Sequence, residues 1–344
     1  MAIVRSYTDA FQIIDRTPEI NLIPNQWGII TQSGIFPSTE GITTPVVSME
    51  QITKSGAVMV DRIRGERNNV SKDYVRKLYS FNVPHFPLDD VLKPEDIQSR
   101  SAYGTNDQPE QEALALARKI ERIRMSHMQL KEKAFAQLLA DGTVYSPNGT
   151  ISTNFYTEFG ITRKEIDFVF GTATTDIMGK VEEGIAHIID NLQAGGDVAT
   201  GFVAFCSPGF FSNLIKHAKV QAAYTYYSST QEPLRQRLDS SLPMGTRVFE
   251  YGGVRFIEYR GTDFGGTAFM TSNEARLVAS GTMDAFGVYA SPANVMATVN
   301  TVGQESYLFT HRDPIDGSVI IRSEMNLLAV ARRPAVIVRL HSST

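Results

Sequence analysis

Cysteine is nearly absent from this chain. Cys206 is the only one in 344 residues, so no internal disulfide exists and nothing points to an oxidising compartment. Flanked by Phe205 and Ser207 after an apolar run, it reads as a small buried hydrophobe. No run of about 18 apolar residues occurs, which removes a membrane span. Met1 to Ala10 lack a basic segment followed by an apolar core, so no secretion signal is expected. Positive charge is short as well. A net charge of −4 argues against a dedicated nucleic-acid binder.

Catalytic and ligand motifs are missing too. No stretch supplies the Gly-x4-Gly-Lys-Ser/Thr of a phosphate-binding loop. Gly261 to Gly266 is glycine-rich but carries no lysine and opens no helix, so it reads as a turn. His85, His127, His187, His217, His311 and His341 make no His-x3-His pair and no cysteine–histidine spacing, which leaves no structural zinc site. His311-Arg312-Asp313 with Asp316-Gly317 lacks EF-hand spacing, and Asp-Gly is an ordinary turn. Ser207 precedes Pro208-Gly209, not the elbow of a hydrolase. Asp89-Asp90 are sequence neighbours that point different ways and read as solvated. The reading is a protein with no catalytic residues, no cofactor and no metal.

What is present is length. From Gln108 to Ala140, Leu116, Ile120, Ile123, His127, Leu130, Ala134 and Leu138 recur three or four apart and share one helix face. Arg118, Glu121, Arg122, Gln129, Glu132 and Lys133 are expected opposite. Asp107 with Glu110 and Pro109 form the start signal, and Gly142 the stop. Such a helix is roughly 45 Å long, about the width of a compact domain of ~150 residues. It reads as a strut in an elongated subunit; a long core helix in a large enzyme is the alternative. Residues 1–44 hold only short apolar clusters broken by proline and glycine, which suggests an extended arm. From Val46 to Val83 the period falls to two, with a polar turn at Gly65 to Asn69. A long hairpin is expected, each arm about a dozen residues or roughly 40 Å. An isolated ribbon of that reach is marginal in water and leaves edge groups unpaired, so it is expected to lie on another subunit. The alternative is a hairpin folded onto its own sheet. Arg62, Arg64 and Arg67 cluster at this hairpin. They are read as partners for a neighbour's acidic groups, against a solvated tip.

Beyond Tyr145 the pattern alternates. Asp176 or Thr175 caps a helix with Ile177, Val181, Ile185, Ile188 and Leu192 on one side, ended by Gly195-Gly196. Phe202 to Phe205 is a strand, and Ser207-Pro208 opens a helix through Val220. This suggests an α/β unit. Residues 228–246 are expected to be a loop, and Val248 to Ile257 a hairpin turning at Gly252-Gly253. Val319 to Ile321, Leu327 to Val330 and Val336 to Val338 are buried-strand runs expected to return beside the strut.

The order of these parts resembles the Hong Kong 97 fold of tailed-phage shells, and most closely the lambda-like major capsid protein family, or phage capsid protein E. The likeness is carried by Ile23-Pro24-Asn25-Gln26-Trp27-Gly28, Pro84-His85-Phe86, Leu92 with Glu95 to Arg100, Asp141-Gly142, Gly253 to Phe256 and Tyr259-Arg260-Gly261. It implies an α+β fold with residues 1–44 as N-terminal arm, 45–84 as E-loop, 85–170 and 300–344 as P-domain with its spine helix at 108–140, and 171–299 as A-domain. It implies hexamers and pentamers of an icosahedral shell around double-stranded DNA. The implied partners are further copies of the chain, scaffolding protein, a portal and a decoration protein near threefold positions. The implied setting is the virion capsid, with host cytoplasm during assembly. Candidate inter-subunit contacts are Arg62, Arg64, Arg67 and Tyr74 in the E-loop and Pro24 and Trp27 in the arm. Some relatives crosslink a lysine to an asparagine; Lys54, Lys72 and Lys77 match no such pattern. An encapsulin-like compartment and a hydrolase are the alternatives.

Overall fold

A computed structural model describes residues 14–22, 28–53, 75–97, 112–225, 246–262 and 268–343. The chain opens with β1 (Ile14–Asp15), α1 (Thr17–Leu22), α2 (Ile29–Gln32) and β2 (Glu40–Gly41). β3 (Val46–Thr53) and β4 (Val75–Asn82) pair antiparallel from Val46↔Asn82 to Thr53↔Val75. Each arm is eight residues within the described range, and the expected tip lies outside it. Then come β5 (Phe86–Leu92), α3 (Pro94–Ile97) and the strut, α4 (Glu112–Asp141). The proposed start signal of the strut, Asp107 to Glu110, lies outside the described residues. Its stop is as expected, with Gly142 at φ 68° and its N–H on Leu138 O.

The helix α4 has two characters along its length. Up to Met128 it is amphipathic, burying Leu116, Ile120, Ile123 and His127 and leaving Leu114 and Met125 exposed. From Glu132 to Ala140 burial runs nearly all round. Glu132, expected on the solvent side, is fully buried. At the C-terminal end Arg163 and the buried Arg276 both donate to Ala140 O, at 2.7 and 3.1 Å. Cations there satisfy an orphan carbonyl and oppose the negative end of the helix dipole.

Beyond the strut, Thr143 makes an isolated bridge to Asn154. Asn154 also caps α5 (Phe155–Phe159), ended by left-handed Gly160. β6 (Glu165–Asp167) leads to α6 (Ile177–Gly195), capped by Asp176 and stopped by Gly196 at φ 73°. β7 (Gly201–Cys206) follows. The next helical run is split: His217 is extended at ψ 133° between α7 (Pro208–Lys216) and α8 (Ala218–Thr225). β8 (Val248–Tyr251) and β9 (Val254–Glu258) turn at Gly252 and Gly253, both at positive φ. β10 (Glu274–Ser280), β11 (Phe286–Ala290), β12 (Tyr307–Arg312), β13 (Val319–Met325), β14 (Leu327–Ala331) and β15 (Val338–His341) complete the chain.

Four sheets result. The largest has order β6-β15-β10-β7-β9-β8, with α6 and α7 packed against it. A second, β1-β12-β13-β5, lies along the amphipathic half of α4, where Leu116, Ile120 and Ile123 meet Leu308, Val319 and Ile321. A third is β14-β11-β2, and β3-β4 stands as a fourth of two strands. The tail divides: β13 and β14 return beside the strut, whereas β15 joins β10 in the largest sheet. One hydrophobic core runs from Ile30 and Phe135 through Phe205 and Phe256 to Val338.

Candidate functional site

The ribbon β3–β4 is fixed at its root and open above it. Val47, Phe81 and Val83 are buried there. Phe81 meets Phe155 edge-on at 5.3 Å between centroids, and Tyr79 meets Phe159 at 4.9 Å. Such aromatic pairs add about 0.5–1.5 kcal/mol each to their area burial. Higher up, Leu78 is 73% exposed, and the Glu50–Arg76 pair stands in solvent at 3.5 Å. A cleft of about 670 Å³ separates Ser48 to Gln51 and Tyr79 from Asp284, Tyr289, Arg332 and Arg333. Both arginines are already engaged. Arg332 donates to Asp284 and, at 2.7 Å, to Tyr289 Oη; Arg333 donates to Leu192 O. The expected contact residues Arg62, Arg64, Arg67 and Tyr74 lie outside the described residues, as do Pro24 and Trp27.

The arm, expected to be extended, is fastened to its own subunit over its described parts. Ile14 and Asp15 pair with Thr310 and Phe309, and Ile20 is fully buried beside α4. Glu132 supplies the second fastening. Its carboxylate accepts from Ile30 N (2.9 Å), Thr31 N (2.9 Å) and Thr31 Oγ1 (2.7 Å). Gly28 is required beside it, since φ is 104° and a Cβ would lie 2.5 Å from Glu132 Oε2. Burial pushes the Glu132 carboxyl above the usual range despite these donors. Tyr259 Oη faces the same carboxylate without a hydrogen bond of ordinary geometry, and burial with that charge raises the phenol. A Cβ on Gly261 would meet Tyr259 Oη at 2.2 Å, which accounts for glycine there.

A second polar group ties α4 to both flanks. His127 Nδ1 lies 3.1 Å from Ser306 Oγ, and Arg124 donates to the same oxygen at 3.0 Å. Glu305 receives Lys131 at 2.8 Å and Thr39 Oγ1 at 3.3 Å. Burial, reinforced by Arg124, lowers the His127 pKa to about 4. The imidazole is therefore neutral, a satisfied interior histidine and no ligand.

The remaining chemical candidates have structural partners. Ser207 Oγ accepts from Glu274 N at 3.1 Å. Cys206 is fully buried, which pushes its thiol up. The Asp313 to Ser318 turn closes on itself, with Asp313 Oδ1 accepting from Ile315 N and Asp316 Oδ1 from Ser318 N. Among the described residues no three His, Cys, Asp or Glu side chains are placed to hold a metal. What the geometry assembles is a set of fastenings between segments far apart in sequence, and one ribbon left open.

Comparison with known proteins agrees with that picture. Residues 17–342 match the family described as phage major capsid protein E. The major capsid protein of Pseudomonas phage KPP10 is 39% identical, with 98% of each chain covered. That of Salmonella phage Felix O1 is 28% identical, covering 98% of this chain and 97% of the relative. At the level of fold, a chain from the asymmetric unit of the bacteriophage PhiM1 mature capsid superposes with a TM-score of 0.56 at 14% identity, over 94% of this chain and 89% of that one. The α+β architecture is thus the Hong Kong 97-like capsid fold. With the family's sequence signature spanning nearly its whole length, this chain belongs to the phage major capsid protein E family.

Proposed function

We propose that this chain closes a phage shell by lending its ribbon to a neighbouring copy, in hexamers and pentamers around packaged double-stranded DNA. Its role is structural and not enzymatic, as in its relatives named major capsid proteins. The observation that carries the reading is the state of β3–β4: a root locked by Phe81, Phe155 and Phe159, and above it two strand edges with no further strand partner among the described residues. A subunit that ended its business within itself would have little use for such a ribbon. Many weak ribbon contacts sum to a durable lattice. In this reading residues 45–84 are the E-loop and 1–44 the arm. The P-domain is 85–170 with 300–344, and the A-domain is 171–299 with β15 contributed to its sheet from the tail. Arg62, Arg64, Arg67 and Tyr74 meet a neighbour's surface, and Pro24 and Trp27 brace the arm. Scaffolding protein, portal and a decoration protein near the threefold positions are the further partners, met in host cytoplasm during assembly.

The family match removes the support for an encapsulin-like compartment. The relatives, named major capsid proteins, remove that for a hydrolase at the Gly261 loop. Deletion of Asp61 to Tyr74 tests the ribbon's role. It is expected to leave soluble capsomers that negative-stain microscopy never finds closed into particles. Normal shells from the deleted chain would overturn it.

A further inference from the structure

β5 is an edge strand whose outer side has no strand partner among the described residues. Its Leu88 and Val91 are 37% and 36% exposed. An open edge of seven residues with apolar side chains is a template for a strand of another chain. The backbone groups on that edge are nonetheless occupied at Val91. Val91 N–H donates to Asp90 Oδ1 at 2.7 Å, and Val91 O accepts from Lys119 Nζ at 2.8 Å. The same ammonium pairs with Asp90 Oδ1 at 2.8 Å, which closes a ring around Val91. Because Val91 turns its groups outward, strand alternation turns those of residues 87 and 89 outward as well. Pro87 has no N–H to offer. Among the described residues this leaves Asp89 N–H as the one unpartnered outward donor, with the Pro87 and Asp89 carbonyls as unpartnered outward acceptors, beside the exposed Asp89 carboxylate.

We propose that Asp90 and Lys119 form a guard on this edge. They keep β5 of one copy from pairing with a strand of a second copy and leave strand-edge contacts to the β3–β4 ribbon. Lys119 reaches the edge from α4, so the guard is set only when strut and sheet are packed together. A chain whose strut is not yet docked exposes an unguarded edge. The chemistry excluded is therefore a polypeptide strand, supplied at high local concentration by identical subunits. The guard stands on the edge geometry; only the ribbon's share of the contacts rests on the proposed function.

The test opens the edge in the full-length chain with Pro87→Val, Asp89→Thr and Lys119→Met together. Sedimentation velocity is run on unassembled protein, with hydrogen exchange of residues 87–91 read by mass spectrometry. The open-edge variant is expected to associate at a concentration at least tenfold below the wild type, with residues 89 and 91 protected in the associated species. Pro87→Val alone, with Asp90 and Lys119 intact, is expected to stay dispersed. Should the triple variant fail to fold by circular dichroism, Lys119→Met alone is expected to show the same effect in smaller degree. A folded open-edge variant as dispersed as wild type would overturn the guard. So would Pro87→Val associating as readily as the triple variant, or wild-type particles that already protect the Asp89 amide.

Discussion

The arm and the ribbon leave the body of the subunit in opposite ways. The arm is tied down at intervals: a strand pairing at Ile14, a buried Ile20, and a carboxylate clasp on Ile30 and Thr31. The ribbon is tied down once, at an aromatic root, and beyond it Leu78 stands in water. Both segments carry an ordinary share of apolar residues. The difference is that the arm's backbone groups find partners on α4 and β12, while among the described residues the ribbon's strands pair only with each other. Partner supply, more than composition, decides which segment belongs to its own fold.

The largest effect should follow from Glu132→Ala. Three donors, Ile30 N buried and the two of Thr31 half-buried, lose their acceptor, at about 1–3 kcal/mol each when left unpaired, with partial relief as water enters. Urea denaturation of the unassembled chain should show a loss of about 3 kcal/mol or more, with faster exchange at Ile30 and Thr31. A change below about 1 kcal/mol would mean that the arm is not held this way. Glu132 also has a signature in pH. Its folded pKa lies above the unfolded value, so its contribution is present at low pH and falls as pH rises through the folded pKa. Glu132→Gln should flatten that fall.

His127 carries the opposite sign. Its folded pKa of about 4 lies below the model-compound value of 6.5, so stability present above pH 6.5 drains away as pH falls towards 4. The span corresponds to on the order of 3 kcal/mol. His127→Asn should lower stability at neutral pH yet remove most of this acid slope. An unchanged slope would place the titration elsewhere.

The smallest stability effect is expected on the ribbon. Leu78→Ser changes an exposed side chain and should alter the unfolding free energy by no more than about 0.5 kcal/mol. It should nevertheless reduce the yield of closed particles. A variant that lost stability and assembled normally would invert the contrast between arm and ribbon.

Much of this layout can be read from the chain alone, because its long elements carry unbroken periods. Ile177 to Leu192 at helical spacing, with Asp176 before and Gly196 after, leaves little choice of structure. Glycines 252 and 253 likewise mark a tight turn. The less legible parts are those where tertiary partners override local preference. β5 contains Pro87 and two aspartates, poor strand formers that an edge position tolerates. α5 is five residues long, too short for a helical period to register. β11 is buried at all five positions and shows no alternation. Glu132 was least legible. Periodicity sends a glutamate between Lys131 and Lys133 to solvent, and its partners stand about a hundred residues earlier. Gly28 at the end of the arm motif is the one trace it leaves in the sequence. The guard on β5 is hidden for the same reason, since Asp90 and Lys119 meet only once the strut lies on the sheet.

The claim that the ribbon depends on a second copy is tested most directly by hydrogen exchange. The amides of Ser48 to Thr53 and Val75 to Ser80 are followed in free capsomers and in closed particles of the same chain. The account predicts that the outward amides of both strands exchange freely in capsomers and become strongly protected in particles, while Phe81 and Val83 at the root are protected in both. Equal exchange of the ribbon in the two states would contradict it.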